Sequence, residues 1–541
     1  MVSPPRPTAL TIAGVVEEVA RATPQHPAIL YRGETVRYAE LRDAAQAVAK
    51  SLLSQGIRRG DRVGVLLGNQ PEWVIAAIGA AYVGAIFVPL NTWYKRNEIA
   101  WTLQHCGLSC LIAVPRFLNQ DFAAMLQAIL PQMRHCEAGA LNEPDFPRLK
   151  SVVLLGEKRP GSFTWDEFLR IGASQSDGQV RAALAAVHPS DPAYILYTSG
   201  STAEPKGVML AHGGVISNCY EMGVRRDIDA TDRVWLGSPL FYGLGATNAL
   251  PITLTHGATL VLQGHFEAGM AIDLIEGTQA TVYYATGNMS RAILDHPDYR
   301  QSRIGSLSKG NAGTMTEYKR LTLVEMGIHR ACPAYGLTES YGNATVGYAD
   351  DPLKAKLHTN GHPLPGMEVS IVDPDSGRTL KAGETGLILL RGHTTPGYFR
   401  NDAENARALR PDGFLDTGDL GSLDADGRLI FHARLKEMIK TGGINVSPLE
   451  IEQLLVKHPH VVDAHVIGLP HMVSGELVVA FVVADAAVTE QEMREYVRER
   501  AASFKVPRHV LFRSHAQLPR VASGKVAKYR LLEEARSELG S

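Results

Sequence analysis

Cysteine is scarce in this sequence, and neither sign of charge is in clear excess. Five cysteines occur in 541 residues, with no Cys-x-x-Cys pair and no Cys/His cluster. This count and spacing argue against a disulfide framework or a zinc site, so we expect reduced thiols in a cytoplasmic protein. Cys106 and Cys110 have the spacing to share one helix face, where we expect them to pack. The formal net charge of −2 gives no basis for a nucleic-acid partner.

Apolar runs long enough to cross a membrane are also lacking. Residues 73–90 come nearest, with 18 positions free of charge, whereas a spanning helix needs about 20 apolar residues. Gly84 and Pro89 interrupt the run, which predicts a buried helix over 71–83 followed by a short strand over 86–90. The first residues lack the apolar core of a signal peptide. We therefore expect neither a membrane span nor a leader.

Helical and strand-like patterns alternate over the first ~190 residues. Apolar residues at helical spacing predict a helix over 38–55, and residues 61–68 read as a buried strand. This alternation predicts an α/β fold, with mostly parallel sheets and helices on their faces. Residues 137–178 are richer in Pro, Gly and charge, so we expect surface connections there.

The chain changes character after about residue 433. Residues 461–468 and 477–484 predict strands, and Thr489 opens a charged helix that extends to about Ser503. We therefore expect a large N-terminal domain, residues 1–435, with a β-rich subregion. A small α+β domain, residues 436–541, follows it.

Residues 193–202 combine an apolar strand with a loop of small hydroxyl residues. Small residues let backbone N–H groups approach an anion, hydroxyls add donors, and the following Lys206 supplies positive charge. The Gly spacing of the dinucleotide-binding motif and the Gly-Lys-Ser/Thr of the Walker A loop are both absent. The segment predicts a phosphate-binding loop of another kind, formed by Thr198, Ser199, Gly200, Ser201 and Thr202.

Together with Pro205, Lys206 and Gly207, this loop resembles the signature of the adenylate-forming superfamily. That superfamily includes acyl- and aryl-CoA synthetases, luciferases and peptide-synthetase adenylation domains. Ala203 departs from the family pattern, which has Gly there. If this position needs a positive φ, the added Cβ costs about 1 kcal/mol, and we expect phosphate binding to persist. The resemblance extends over the whole chain, because four further motifs follow in family order.

The resemblance implies roles for these later motifs. It assigns Thr338 to phosphate, and Glu339, with Thr198, to Mg²⁺. Asp419 and Arg434 match contacts to the ribose hydroxyls. Lys525 matches the lysine that joins the acid to the α-phosphate, so the implied catalytic residues are Lys525, Glu339, Thr338 and Lys206. The remaining implied ATP and AMP contacts are Asn311, Ala312, Gly313, Tyr335 and Gly336.

The resemblance also implies a reaction in two halves. An acid attacks the α-phosphorus of ATP and releases pyrophosphate, and a thiol then displaces AMP. Lys436 falls at the family hinge, about which the small mobile domain rotates between the halves. Lys440, Gly442 and Gly443 then line the path of the thiol. The implied cofactors are ATP and Mg²⁺, with CoA as co-substrate, in a monomer or homodimer.

The acid pocket is less clearly indicated than the nucleotide site. Tyr242 and Gly243 lie where the family has an aromatic or His residue beside the substrate carboxylate, in a run similar to benzoate-type aryl-CoA ligases. The alternative is that Phe241 and Tyr242 are core aromatics. Asn288 and Gly313 complete the expected pocket. Polar variants at Asn311, Thr314, Asn343 and Asn288 favour a small aromatic or polar acid over a long fatty acid.

Three acceptors remain open at this point. The first is CoA, which makes the protein an acyl- or aryl-CoA ligase. The second is the phosphopantetheine thiol of a carrier protein. The third is an arylamine that attacks AMP-activated nitrite, which makes the protein an ATP-dependent diazotase. A non-catalytic binding module is disfavoured, because it has little need of Glu339, Asp419 and Lys525 together.

Overall fold

The computed structural model describes residues 5–156, 158–198, 205–441, 444–471, 474–501, 503–520 and 525–540. Contacts between residues divide the chain into two units. The larger comprises Met1–Val369 and Leu390–Leu415, and the smaller comprises Ser370–Leu389 and Asp416–Ser541. The smaller unit therefore includes segments before Lys436, where the sequence places the domain boundary. A hinge at Lys436 stays a prediction.

A nine-stranded sheet forms one half of the larger unit. Its six central strands are parallel, and its edge strands are antiparallel to their neighbours. In spatial order the strands are His362–Pro363, Thr345–Val346, Cys332–Tyr335, Lys309–Gly313, Val282–Tyr284, Arg233–Leu236, Thr259–Leu262, Pro27–Tyr31 and Glu34–Arg37.

An eight-stranded sheet forms the other half, and its interior is again parallel. At one edge, two antiparallel strands follow the parallel strands. In spatial order the strands are Gly397–Tyr398, Lys206–Ala211, Pro192–Thr198, Ile86–Pro89, Arg62–Leu66, Cys110–Ala113, Ser151–Leu154 and Phe163–Thr164. Arg116–Phe117 and Gln120–Asp121 form a separate two-stranded hairpin.

Helices cover these sheets and bury apolar side chains against them. One cluster joins Leu66, Val88, Leu111 and Val152 from adjacent strands to Leu103 on a helix, all essentially inaccessible to solvent. The helices are Ile12–Ala22, Tyr38–Ser54, Pro71–Tyr82, Arg96–Cys106, Phe122–Ile129, Trp165–Ile171, Asp177–Ala185, His212–Arg225, Leu250–His256, Ala268–Thr278, Gly287–Leu294, Thr316–Arg320, Leu353–His358 and Asp402–Ala408.

The smaller unit carries most of a four-stranded sheet and a five-stranded mixed sheet. The strands of the first are Met367–Val372, Gly386–Gly392, Leu415–Leu423 and Leu429–Arg434. Those of the second are Ile444–Val446, Ile439–Thr441, Gly475–Ala484, Val461–His471 and His509–Phe512. The helices are Pro448–Leu455, Glu490–Arg498 and Lys528–Leu539.

Successive side chains of the strand Gly475–Ala484 point to opposite faces of the sheet, so this strand contributes to two hydrophobic cores. Val478, Ala480 and Val482 pack with the helices Pro448–Leu455 and Glu490–Arg498. Val479, Phe481 and Val483 face the opposite side, where Leu531 of Lys528–Leu539 packs. Since successive strand side chains point to opposite faces, an unbroken apolar run covers both sides of the sheet.

Most of the elements expected from the sequence are confirmed, with small shifts at their ends. The helices expected at 38–55 and 71–83 are Tyr38–Ser54 and Pro71–Tyr82. Thr489 does cap its helix, accepting a hydrogen bond from the N–H of Glu492, but that helix ends at Arg498. Within the described residues, none of the helices has the length and apolar character needed to cross a bilayer.

Two expectations about local structure are wrong. Residues 137–178 are not only surface connections, because they contain the buried strand Ser151–Leu154 and the helix Trp165–Ile171. A serine and three apolar residues suffice for this strand inside a parallel sheet, and so short a run is not recognisable in the sequence. Cys106 and Cys110 do not share a helix face, since the helix ends at Cys106 and Gly107 turns left-handed. Both thiols are free and buried.

Candidate active site

The two ends of the expected phosphate loop are fixed by a β-hairpin. The strand Pro192–Thr198 ends at Thr198, and the antiparallel strand Lys206–Ala211 begins directly opposite it. Ser199, Gly200, Ser201 and Thr202 lie outside the described residues. The hairpin nevertheless brings Thr198 and Lys206, the first and last members of the motif, side by side.

Lys206 is held by a carboxylate that the sequence did not point to. Its Nζ lies 2.7 Å from Oε1 of Glu404, in the helix Asp402–Ala408, and both side chains are largely buried. Arg407, one turn further along that helix, contacts the same carboxylate. The hydrogen bond from Arg407, with that from Lys206, lowers the pKa of Glu404 to about 2. Glu404 therefore stays ionised and fixes the direction of the lysine.

Tyr398 connects Lys206 to Glu339. Its hydroxyl donates a hydrogen bond to Oε1 of Glu339 at 2.8 Å, and its ring centroid lies 5.9 Å from Nζ of Lys206. The strand Gly397–Tyr398 pairs with Val208, which sets this position. Burial, and then the charge of Glu339, raise the pKa of Tyr398, so its hydroxyl remains a donor. Tyr398 could not be predicted from the sequence, because a two-residue edge strand has no periodicity.

Glu339 lies in a short 3-10 turn, Thr338–Ser340, and its backbone carbonyl accepts a hydrogen bond from the N–H of Thr395 at 2.6 Å. No cluster of three His, Cys, Asp or Glu side chains suited to a metal occurs in the described segments. A single oriented carboxylate is still a reasonable Mg²⁺ ligand, because this ion is usually held by one or two carboxylates and by substrate phosphates. The donor set around Glu339 fits that pattern.

Asn311 lies in the strand Lys309–Gly313, a central strand of the nine-stranded sheet, two residues before its carboxyl end. Its Oδ1 accepts a hydrogen bond from the N–H of Gly313 at 3.2 Å, and Gly313 has φ +82°. Thr314 donates to the carbonyl of Ala334 at 2.8 Å, which ties this turn to the next strand. Ligands in α/β sheets bind outside the carboxyl ends of the strands. The turn expected to contact ATP or AMP therefore lies at the edge of the sheet where ligands of α/β proteins bind, and its role stays a prediction.

Tyr335 and Gly336 lie at the equivalent end of the neighbouring strand. Tyr335 is the last residue of the strand Cys332–Tyr335 and is buried. A Cβ at position 336 would lie 2.4 Å from the carbonyl oxygen of Gly342 and 2.5 Å from Cα of Asn343. Glycine is thus required for the returning segment to pack against this strand end, directly before Thr338 and Glu339.

The expected acid-pocket residues do not share one environment. Tyr242 is partly buried beside Trp93 and Phe241, with ring centroids 5.8 and 4.7 Å away, and its hydroxyl accepts a hydrogen bond from Asn91 at 3.3 Å. The carbonyl of Gly243 accepts hydrogen bonds from Thr247 and Asn248. Asn288 is exposed, in the helix Gly287–Leu294. A pocket role for these residues stays a prediction.

The smaller unit brings the two expected ribose ligands together. Asp419 and Arg434 are paired directly across antiparallel strands, and Nε of Arg434 lies 3.2 Å from Oδ1 of Asp419. The carboxylate is almost fully buried, at 3% exposure, whereas the arginine side chain is 55% exposed. The buried carboxylate is therefore a fixed acceptor, while the arginine can reorganise around a ligand.

Lys525 lies near this pair. Although solvent reaches part of its side chain, surrounding protein atoms desolvate it and lower its pKa, and the charge of Arg434 adds to this effect. Glu437 and Asp419 act in the opposite direction. The expected catalytic lysine and both expected ribose contacts thus occupy one electrostatic neighbourhood of the smaller unit.

The expected hinge and thiol-path residues are only partly described. Lys436 belongs to the 3-10 turn Leu435–Glu437, and Lys440 to the strand Ile439–Thr441. Gly442 and Gly443 lie outside the described residues. The roles of all four residues stay predictions.

Comparison with known families identifies the family of this chain. Residues 16–399 match the family model described as AMP-binding enzyme, and residues 450–525 match the model described as AMP-binding enzyme C-terminal domain. The chain belongs to the AMP-binding enzyme family. This confirms the adenylate-forming superfamily that the motifs resemble.

Individual relatives and solved structures indicate the class of enzyme in more detail. A 3-[(3aS,4S,7aS)-7a-methyl-1,5-dioxo-octahydro-1H-inden-4-yl]propanoyl:CoA ligase of Mycobacterium tuberculosis is 34% identical over 97% of this chain and 98% of its own length. Among solved structures, ATP-bound MatB from Rhodopseudomonas palustris has TM-score 0.84 and 26% identity, over 97% of this chain and 99% of its own. The anthranilate CoA ligase AuaEII with anthranoyl-AMP has TM-score 0.85 and 25% identity, over 98% of each chain.

These similarities confirm the α/β fold with a large N-terminal and a smaller C-terminal domain. They also support ATP-dependent acyl-CoA formation, with the acid unspecified.

Proposed function

We propose that this protein is an AMP-forming ligase that joins a small aromatic or polar acid to CoA. The observation that carries the proposal is the arrangement of Lys206, Tyr398 and Glu339. One tyrosine contacts both the lysine at the end of the phosphate hairpin and the carboxylate suited to a metal. Such an arrangement suits a triphosphate, because Lys206 supplies one positive charge and a metal ion bound to Glu339 would supply another.

In the first half-reaction the acid oxygen bonds to the α-phosphorus and pyrophosphate leaves. For this step the protein mainly has to position two anions and to neutralise their charge. Lys206 and Thr198, with the loop between them, hold the β- and γ-phosphates. Mg²⁺, held by Glu339 and Thr198, supplies further neutralisation of phosphate charge. Lys525 places the acid against the α-phosphate.

Lys206 already has an ion-pair partner in the protein. Its ammonium pairs with Glu404 at 2.7 Å, so the phosphate either displaces that carboxylate or binds beside it. Arg407 remains with Glu404 when the lysine turns away, since it contacts the same oxygen. The carboxylate is therefore never left as an isolated buried charge, which would be costly.

In the second half-reaction the thiol sulfur bonds to the acyl carbon and AMP leaves. We propose that the small domain turns about Lys436 between the halves, which brings Lys440, Gly442 and Gly443 to the thiol path. Asp419 and Arg434 hold the ribose in both halves. We propose the cytoplasm as the location and a monomer or homodimer as the assembly.

A two-stage assay tests the function. The protein is incubated with Mg-ATP and a panel of aromatic acids, short acids and nitrite, and pyrophosphate release is measured. CoA, a holo-carrier protein or an arylamine is then added, and AMP release is measured. We expect CoA to release AMP after activation of a small acid. AMP release only with carrier protein, or only with arylamine after nitrite, would overturn the choice of CoA.

A further inference from the structure

Arg226 is a fully buried cation that forms no ion pair with a carboxylate among the described residues. It directly follows the helix His212–Arg225, and its side chain has no exposed surface. Its Nη1 donates to the hydroxyl of Tyr284, and its Nη2 lies 3.5 Å from Oδ1 of Asn311. Its Nε has no hydrogen-bond partner within the described segments. No carboxylate in the described part of the chain forms an ion pair with it.

Such an arrangement is costly in an empty protein. Buried arginines are usually paired with a carboxylate, because desolvation of an unpaired charge exceeds what neutral hydrogen bonds return. An unmet buried donor in a native structure calls for an explanation, and one explanation is an acceptor that arrives with a ligand.

The neighbouring Arg225 shows what a structural arginine looks like in the same place. Its Nη1 donates to the carbonyl of Val346 and its Nη2 to the carbonyl of Pro363, each at 2.9 Å. Its guanidinium also lies 4.1 Å from the ring centroid of Tyr348. Arg225 thus ties two strands of the sheet edge together, and its bonding is accounted for by the protein itself.

Arg226 instead belongs to a buried polar network. Met222 accepts hydrogen bonds from Tyr284 at 3.9 Å and from Asn343 at 2.9 Å. Asn343 also donates to Oδ1 of Asn248, which in turn donates to the carbonyl of Gly243 at 3.1 Å. Arg226 joins this chain of contacts through Tyr284.

The network runs between two segments expected at the acid pocket. One end is Gly243, an expected pocket residue beside Tyr242, and the other is Asn311, two residues before the expected pocket residue Gly313. A buried guanidinium and several amides are unsuited to the binding of a long fatty acid. Such polar side chains match an acid that carries a second charged group.

On the basis of the proposed ligase function, we propose that Arg226 is a specificity-determining residue that binds an anionic group of the substrate distant from the reacting carboxylate. The substrate is then a small dicarboxylic acid, or an aromatic acid with a second anionic substituent. Arg226 pairs with the distal anion, for which the planar guanidinium supplies a two-pronged donor.

Pairs of acids with the same length test this proposal. Pyrophosphate release is measured with glutarate against pentanoate and with isophthalate against benzoate, and kcat/KM is compared within each pair. We expect the wild-type protein to prefer the acid with two carboxylates. In Arg226→Met this preference falls by about 10- to 100-fold, through the KM of the diacid. Arg226→Lys, which keeps the charge, retains part of the preference.

Arg225→Met is the matched control. We expect it to lower the melting temperature and to leave the diacid preference unchanged, since Arg225 is held at the sheet edge by the carbonyls of Val346 and Pro363. A wild-type preference for the monoacids overturns the proposal, even if Arg226→Met does not fold. An unchanged preference in folded Arg226→Met, or an equal shift in Arg225→Met, also overturns it. If no acid causes pyrophosphate release, the proposed ligase function itself is wrong.

Discussion

Tyr398 shows how one side chain can serve two candidate functional groups. Its hydroxyl orients Glu339, while its ring lies near Lys206. Partners that orient a metal ligand typically matter by 10- to 100-fold in affinity or activity. We therefore expect Tyr398→Phe to raise the Mg²⁺ concentration for half-maximal pyrophosphate release by about tenfold. The rate at saturating Mg²⁺ should be largely retained, because the ring remains.

Glu339→Gln is the comparison for that variant. This substitution removes the negative charge itself. We therefore expect a loss of pyrophosphate release that additional Mg²⁺ does not restore. A wild-type Mg²⁺ dependence in Tyr398→Phe would show that the hydroxyl has no part in metal binding.

Lys525 carries the expected positive charge of the acid–phosphate contact. We expect Lys525→Ala to reduce pyrophosphate release by about 10²- to 10³-fold, because charge that develops in the transition state loses its donor. ATP binding, measured by calorimetry, should change little, since we expect the β- and γ-phosphates to bind at Thr198 and Lys206. Pyrophosphate release at the wild-type rate would refute the role.

Lys528 provides a matched control for the loss of Lys525. It lies three residues further along and pairs with Glu452 at 2.7 Å and with Glu437 at 3.6 Å. Its bonding is thus explained within the smaller unit. We expect Lys528→Ala to lower stability modestly and to keep pyrophosphate release near the wild-type rate.

At the scale of elements, the helix Asp402–Ala408 fixes Lys206 through Glu404. The folded-state pKa of Glu404, about 2, lies below its ordinary value of 4.5. Its contribution to stability is therefore complete above pH 4.5 and is lost as the pH falls toward 2. That contribution is on the order of 3 kcal/mol for such a shift. We expect Glu404→Gln to be destabilised most near pH 7, and the difference from wild type to shrink below pH 4.5.

Urea unfolding across this pH range measures the difference. Asp402→Asn, in the exposed first turn of the same helix, is the control, and we expect its difference from wild type to stay small. A difference between Glu404→Gln and wild type that stays constant from pH 7 to pH 3 would contradict the assigned ion pairs.

Elements with a long or periodic apolar pattern could be predicted from the sequence. The helix Tyr38–Ser54 has apolar residues at helical spacing, and the strand Gly475–Ala484 carries an unbroken apolar run. The strand Ser151–Leu154 was not predicted, because a serine and three apolar residues are too few to show a pattern. Pairing with Cys110–Ala113, far earlier in the chain, is what makes it a strand.

The site residues also differ in whether they could be predicted from the sequence. Lys206, Glu339 and Asp419 belong to local motifs, so short sequence patterns sufficed to find them. Glu404 and Tyr398 contact those residues only after distant strands pair, and no local pattern marks them. Arg226 was hidden for a further reason, since a buried arginine and a surface arginine look alike in a sequence.

At the scale of the whole molecule, each unit contributes a separate part of the expected chemistry. The larger unit holds Lys206, Tyr398 and Glu339, which suit the triphosphate and its metal. The smaller unit holds Asp419, Arg434 and Lys525, which suit the ribose and the reacting acid. A protein divided in this way can alter its chemistry by moving one unit, without rebuilding either part.

A proline at position 436 tests that idea. Lys436 lies in the turn Leu435–Glu437, and proline fixes its own φ near −65° and disfavours helical backbone at the preceding residue. If rotation about this point separates the two half-reactions, Lys436→Pro should keep pyrophosphate release within about threefold of wild type and reduce CoA-dependent AMP release by at least about tenfold. Lys436→Ala, which leaves the backbone free, should preserve both rates. Equal losses of both half-reactions in the proline variant would place the moving joint elsewhere, because a fixed hinge need not disturb the nucleotide site of the larger unit.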